Sequence, residues 1–159
     1  MATNGDRAYE LMQAALGEPE GSGEWVEITQ QRINAFADVT EDHQFIHVDP
    51  EACKEMSPWG VPIAHGFLTL SLLTKLTASV PTPPERREGL LMGVNYGFEK
   101  VRFVNPVKVG SKVRASAVLK AVEAKDANTL QVTKTITVEI EGEGKPALVA
   151  EWVTRLVYG

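Results

Sequence analysis

His65-Gly66-Phe67-Leu68-Thr69-Leu70-Ser71-Leu72-Leu73-Thr74-Lys75-Leu76-Thr77-Ala78-Ser79-Val80 reads as one helix. Phe67, Leu68, Leu70, Leu72, Leu73 and Leu76 fall nearly all round a helical wheel, and a helix apolar on most sides must be buried on most sides. Pro81, Pro83 and Pro84 end it, because proline lacks the N–H that a continuing helix needs.

Downstream of this helix the hydrophobic period changes to two. Leu130, Val132, Ile136, Val138 and Ile140 alternate with Gln131, Thr133, Thr137 and Glu139, the pattern of a half-buried strand. Residues 113–122 form its expected hairpin partner across Lys125-Asp126-Ala127-Asn128. Residues 147–158 carry apolar side chains on both faces, as a central strand does. Residues 90–104 are long enough for one bent strand, with Gly93 and Gly97 permitting the bend.

Upstream, the chain reads as helices. Residues 7–16 suit a short helix closed by Gly17 and Pro19. Residues 25–28 could be a short strand. Thr29 then caps a helix over residues 30–38, with Ile33, Phe36 and Ala37 on one face. Asp49-Pro50-Glu51 has the cap, the proline and the acidic first turn of another helix start, and Ser57-Pro58 stops it. A long buried helix followed by an antiparallel meander predicts an α+β layer architecture in one domain over residues 1–159.

Bulk properties narrow the function. No apolar run is long enough to span a membrane as a helix. The polar N-terminus lacks the basic-then-apolar order of a secretion signal, and the single cysteine, Cys53, fits a reducing, cytoplasmic setting. A net charge of −5 argues against a nucleic-acid surface. It leaves room for a small anionic ligand held by a local cluster of cations.

The chemistry concentrates in Thr40-Glu41-Asp42-His43-Gln44-Phe45-Ile46-His47-Val48-Asp49-Pro50. On one continuous helix Asp42 and His47 would point about 140° apart. In a loop that folds back, the carboxylate and the imidazole can converge on one water molecule, and an imidazole suits proton transfer because its pKa lies near neutrality. The second element is Pro62-Ile63-Ala64-His65-Gly66 at the start of the buried helix. Free backbone N–H groups there could polarise a thioester carbonyl and hold an enolate, and Gly66 has no side chain to shield its own. His43, His47 and Asp49 also invite a metal reading. The Asp49 cap and Pro50 argue against it, because they place the histidines ahead of a helix rather than within it. Cys53 has no basic neighbour pattern, lies in the short helix that Asp49 opens, and is expected to be inert.

These blocks together resemble the MaoC-like, (R)-specific enoyl-CoA hydratases, and within them the NodN-like branch. That family has a small-residue pair, then Asp, any residue, Asn, Pro, an aliphatic residue and His. A later aliphatic-Ala/Val-His-Gly block opens its central helix, as Ile63-Ala64-His65-Gly66-Phe67 does here. The stretch Asn95 to Phe103, then Pro106 and Val109-Gly110-Ser111, looks like the strand and turn that follow. The resemblance implies a hot-dog fold, with the antiparallel sheet wrapped around the long central helix, and a homodimer.

It further implies hydration of trans-2-enoyl-CoA to (R)-3-hydroxyacyl-CoA, or the reverse. Asp42 and His47 would be catalytic, and the Gly66 N–H would bind the thioester oxygen. Gln44, His65 and Arg102 are candidates for substrate binding, with Lys100, Lys108, Lys112 and Arg114 as further cations, and Ser71 and Thr74 could reach the acyl pocket. No cofactor or metal is implied beyond the CoA of the substrate. Glu41, Gln44 and Phe45 depart from the family's usual Gly, Asn and Pro, and Glu41 is expected to push the pKa of Asp42 or His47 upward. Two other readings stay open: a hot-dog acyl-CoA thioesterase, and a non-catalytic acyl-CoA-binding accessory protein.

Overall fold

Alternation of apolar and polar residues gives the strands one face to bury, and four long strands share it. A computed structural model describes residues 2–159. The strands are β1 (Pro19–Ser22), β2 (Val26–Glu27), β3 (Leu90–Phe103), β4 (Lys112–Ala124), β5 (Thr129–Ile140) and β6 (Leu148–Tyr158). They form one antiparallel sheet in the order β1-β4-β5-β6-β3, with β2 also on β4. β6 lies between β5 and β3, as its two apolar faces predict. The hairpin from β4 to β5 turns at residues 125–128 as expected. β3 bends through register shifts, one of them between Asn95 and Gly97.

The helices are α1 (Asn4–Ala14), α2 (Gln30–Thr40), α3 (Phe45–Val48), α4 (Pro50–Met56), α5 (Gly66–Ser71) and α6 (Leu73–Ala78), followed by a 3-10 turn at Pro84–Arg87. Leu68, Leu73 and Leu76 pack with Ile28 and Ile33 onto inward positions of the sheet, among them Val113, Ala115, Ala117, Ile136, Val138 and Ala150. The alanines let the helix sit close to the sheet. A second cluster, Ala8, Met12, Leu119, Val122, Leu130, Val132 and Tyr158, seats α1 on the far end of the same face. Each fully buried Leu or Ile contributes about 1.5–3 kcal/mol.

Several expectations need correction. α1 starts at Asn4 rather than Arg7, because Thr3 and Asp6 form a reciprocal capping box. β1 has no alternation in its sequence and exists through its pairing with β4. The central helix is neither continuous nor buried on most sides. It is two segments meeting at Leu72, which stays right-handed at φ −74° and ψ −5°, its N–H bonding to the Leu68 carbonyl and its carbonyl accepting from Leu76 N–H. The Ser71 hydroxyl donates to the Phe67 carbonyl at 2.7 Å, a back-bond that bends helices. One face rests on the sheet; the other, with Phe67 at 66% exposure, is open in the single chain.

Candidate active site

Asp42 and His47 reach one place because the chain between them turns twice. Thr29 caps α2 as predicted, accepting from Arg32 N at 3.1 Å. The helix ends at Glu41, whose φ of 60° turns the chain sharply and releases Asp42 beyond the helix. The chain then enters α3. His47 therefore sits within a one-turn helix and not in a loop ahead of one, a correction that follows from Asp49 N–H bonding to the Phe45 carbonyl at 3.0 Å. Asp49 caps α4 through Ala52 N at 2.9 Å.

His47 is 6% exposed. Its Nδ1–H donates to the Ile63 carbonyl at 2.7 Å, which fixes the neutral tautomer and leaves Nε2 with a lone pair. The His47 pKa lies below its ordinary value, because burial disfavours the charged ring more than the Ile63 carbonyl favours it. The neighbouring His65 adds to the lowering and Asp42 opposes it. This reverses the upward shift expected for His47 from Glu41, since desolvation outweighs the local carboxylates. His47 is thus a neutral base at neutral pH.

His65 stacks on His47, with ring centroids 3.8 Å apart and planes 23° apart. Its Nε2–H donates to the Asp42 backbone carbonyl at 2.9 Å and lies 4.0 Å from Oδ2. Phe36 closes its other side at 5.0 Å. A carboxylate oxygen of Asp42 and one ring nitrogen of each histidine lie within 4.8 Å of one another. Imidazole lone pairs lie in the ring plane, so two stacked rings direct them poorly at a common ion. The other metal reading does not assemble. His43 turns outward to Asp38 at 2.8 Å, and Asp49 is spent on its cap.

Gly66 opens α5 beside this trio. Neither its N–H nor that of Phe67 has a protein acceptor among the described residues. A Cβ on Gly66 would stand 3.0 Å from two ring carbons of Phe103, so only glycine fits without displacing that ring. Asp42, His47 and His65 therefore meet, and Gly66 follows His65 directly in the chain. Gln44 borders them through its backbone, its N–H 3.4 Å from Asp42 Oδ1. Arg102 does not join them. It is exposed, its guanidinium donates to the Val101 carbonyl at 2.8 Å, and strand alternation points it away from the face where Phe103 meets Gly66. Ile63 and Gln30 escape a sequence reading. The first acts through its carbonyl, and the second donates to the His47 carbonyl at 2.8 Å. Cys53 is buried, and that burial pushes its thiol pKa up, as its inert reading requires.

The MaoC like domain profile matches residues 12–141. A 3-hydroxyacyl-thioester dehydratase Z of Mycobacterium tuberculosis is 49% identical over 92% of this chain and 93% of its own length. Nodulation protein N of Rhizobium leguminosarum bv. viciae is 50% identical over 90% of this chain and 87% of its own. Among solved structures, a monoamine oxidase regulatory protein from Archaeoglobus fulgius superposes with a TM-score of 0.70 at 27% identity, covering 90% of each chain. An (R)-hydratase from A. caviae involved in PHA biosynthesis superposes with a TM-score of 0.68 at 24% identity, covering 87% of this chain and 94% of its own. These likenesses bear out the α+β hot-dog fold. With a profile spanning most of its length and relatives near half identity, this chain belongs to the MaoC-like family.

Proposed function

We propose that this protein is an (R)-specific enoyl-CoA hydratase, adding water to a trans-2-enoyl-CoA or, in reverse, dehydrating the (R)-3-hydroxyacyl-CoA. The observation that carries the reading is the convergence of the Asp42 carboxylate and the His47 imidazole beside the free N–H groups of Gly66 and Phe67. The acyl-thioester class and the stereochemistry rest on the names of the dehydratase and (R)-hydratase that the chain resembles. The substrate carries the only CoA needed, and no cofactor enters.

A water held by Asp42 loses a proton to His47 Nε2 as its oxygen bonds to C3. Electron density moves onto the thioester oxygen, which the first N–H groups of α5 hold as an enolate. A proton from the Asp42–His47 pair then goes to C2, so one H and one OH are added in total. His65, donating to the Asp42 carbonyl, holds the backbone from which the carboxylate projects.

The functional unit is a homodimer. β3 is a sheet edge and exposes Leu91, Met92, Val94, Tyr96, Phe98 and Phe103, the last of which meets Gly66, with exposed Val104 following. An apolar edge strand of that length suits pairing with a second copy. Sedimentation equilibrium of wild type and Val94→Lys checks this, with the variant expected to shift toward monomer.

The activity test is incubation with crotonyl-CoA. Hydration removes the conjugated-enoyl absorbance without free thiol and gives the (R) product on chiral analysis. Release of free thiol would make the protein a thioesterase instead. No change in either signal would refute catalysis on this substrate class.

A further inference from the structure

β5 breaks its own pattern at one place. Leu130, Val132, Ile136, Val138 and Ile140 turn the same way into the core, and Lys134 occupies the position between Val132 and Ile136. A lysine on the inward face of a strand needs compensation, because burying a charge without a partner is costly. Glu20 of β1 supplies part of it. Its Oε2 accepts from Lys134 Nζ at 2.7 Å and its Oε1 from Arg86 at 2.8 Å. The Glu20 side chain is 6% exposed and that of Arg86 10%.

This cluster lines a cavity of about 540 Å³. The cavity lies between the two hydrophobic clusters, with Met12 of α1 on one side and Thr74 and Thr77 of α6 on the other. Cross-strand neighbours share a face. Leu119, Lys134 and Trp152 therefore form a row across its floor. The cavity is separate from the Asp42–His47–Gly66 cluster, none of whose residues line it.

The hydrogen-bonding inventory of the wall is unbalanced. Lys134, Arg86 and Arg87 bring three positive charges against the one carboxylate of Glu20, in a chain whose net charge is −5. Both Glu20 oxygens are engaged, and Lys134 spends one of its N–H donors on it. Trp152 adds a buried indole N–H with no acceptor. A mostly apolar cavity with surplus cations and an idle donor suits an apolar guest that ends in an anion.

The helix sets the distance. Thr74 lies eight residues beyond Gly66 along α5 and α6, about 12 Å at the helical rise. An extended decanoyl chain starting at the Gly66 N–H spans a comparable length. Phe67, Leu70 and Thr74 recur at helical spacing, so one face of the helix leads from Gly66 toward the cavity.

We infer that this cavity receives the far end of the acyl chain and selects chains that end in a carboxylate, which Lys134 binds with the flanking Arg86 and Arg87. The inference rests on the hydratase reading of the Asp42–His47 site, and the experiment separates the two.

Binding of non-reactive saturated thioesters, decanoyl-CoA and its ω-carboxyl counterpart, is measured by calorimetry on wild type, Lys134→Met and Arg87→Gln. The ω-carboxyl ligand should bind wild type roughly 10- to 100-fold more tightly than decanoyl-CoA, the worth of one charge-assisted hydrogen bond. Lys134→Met should abolish most of that preference and Arg87→Gln part of it. A thermal melt establishes that each variant is folded. If Lys134→Met does not fold, the exposed Arg87→Gln carries the variant arm. Equal or tighter binding of decanoyl-CoA to wild type, or binding of neither, overturns the inference. So does binding of free decanoate as tight as that of the ω-carboxyl thioester, which would make the cavity a fatty-carboxylate site of its own. Turnover of crotonyl-CoA, whose chain is too short to reach the cavity, reports separately on the hydratase reading.

Discussion

Glu41 holds a φ of 60° and ψ of 24°, and among the described residues it is the one non-glycine with positive φ. In this left-handed region a Cβ crowds the following carbonyl oxygen, at a cost of about 1–2 kcal/mol. Glu41→Gly removes that cost but gives the unfolded chain more freedom, worth about 0.4–1 kcal/mol in the opposite direction. The net expectation is a stabilisation of about 0.5–1 kcal/mol, or about 1–4 °C in Tm for a chain of this length. Glu41→Asn should fall between, because asparagine tolerates the left-handed region. Glu41→Ala keeps the Cβ and deletes the charge, so it should gain almost nothing. Thermal and urea melts of the four proteins decide it, and the expected order is Gly, then Asn, then Glu with Ala. If Glu41→Ala stabilises as much as Glu41→Gly, the gain comes from losing a carboxylate, and the backbone argument is wrong. Glycine is the usual residue here in the family that the chain resembles, and the turn gives the physical reason.

Other outcomes follow from the same geometry. Asp42→Asn and His47→Gln should each lower kcat/KM for crotonyl-CoA by about 10²–10⁴-fold with the circular dichroism spectrum unchanged; near-wild-type turnover in both would remove the pair from catalysis. Because burial lowers the His47 pKa, the acid limb of kcat/KM should lie below pH ~6.5, with a plateau at neutrality; an acid limb above neutrality would contradict this. The same shift has a stability consequence. The unfolded chain binds the proton more readily, so the stability contributed by neutral His47 is complete above its unfolded pKa and is lost as pH falls through the lower folded one. Urea melts at stepped pH should show that acid loss in wild type and a smaller one in His47→Gln. Tyr158→Phe deletes a buried O–H that donates to the Arg86 carbonyl at 2.9 Å and should cost about 1–3 kcal/mol in a denaturant melt.

Short-range patterns were legible in the sequence: the Thr29 and Asp49 caps, the hairpin from β4 to β5, the central β6 and the span of β3. Each depends on contacts within a few residues or on a period of two, so one chain carries the signal. The place of Gly66 at a helix start was also readable, and the resemblance to the family's motif pointed to Asp42 with His47. The tertiary structure decided the rest. The Ile63 carbonyl selects the tautomer of His47, and a backbone oxygen leaves no trace in residue type. His65 stacks on His47 only because the segment before α5 lies against α3, where Ile63 N–H bonds the Ile46 carbonyl. The central helix looked buried all round because its leucines encircle it, yet the sheet covers one face, and the Ser71 back-bond helps bend it at Leu72. Lys134 falls on the apolar phase of β5, where the local sequence offers it no partner. The fold turns it inward between two cores, where Glu20 from a distant strand meets it, and long-range pairing of that kind is fixed by topology rather than by local sequence.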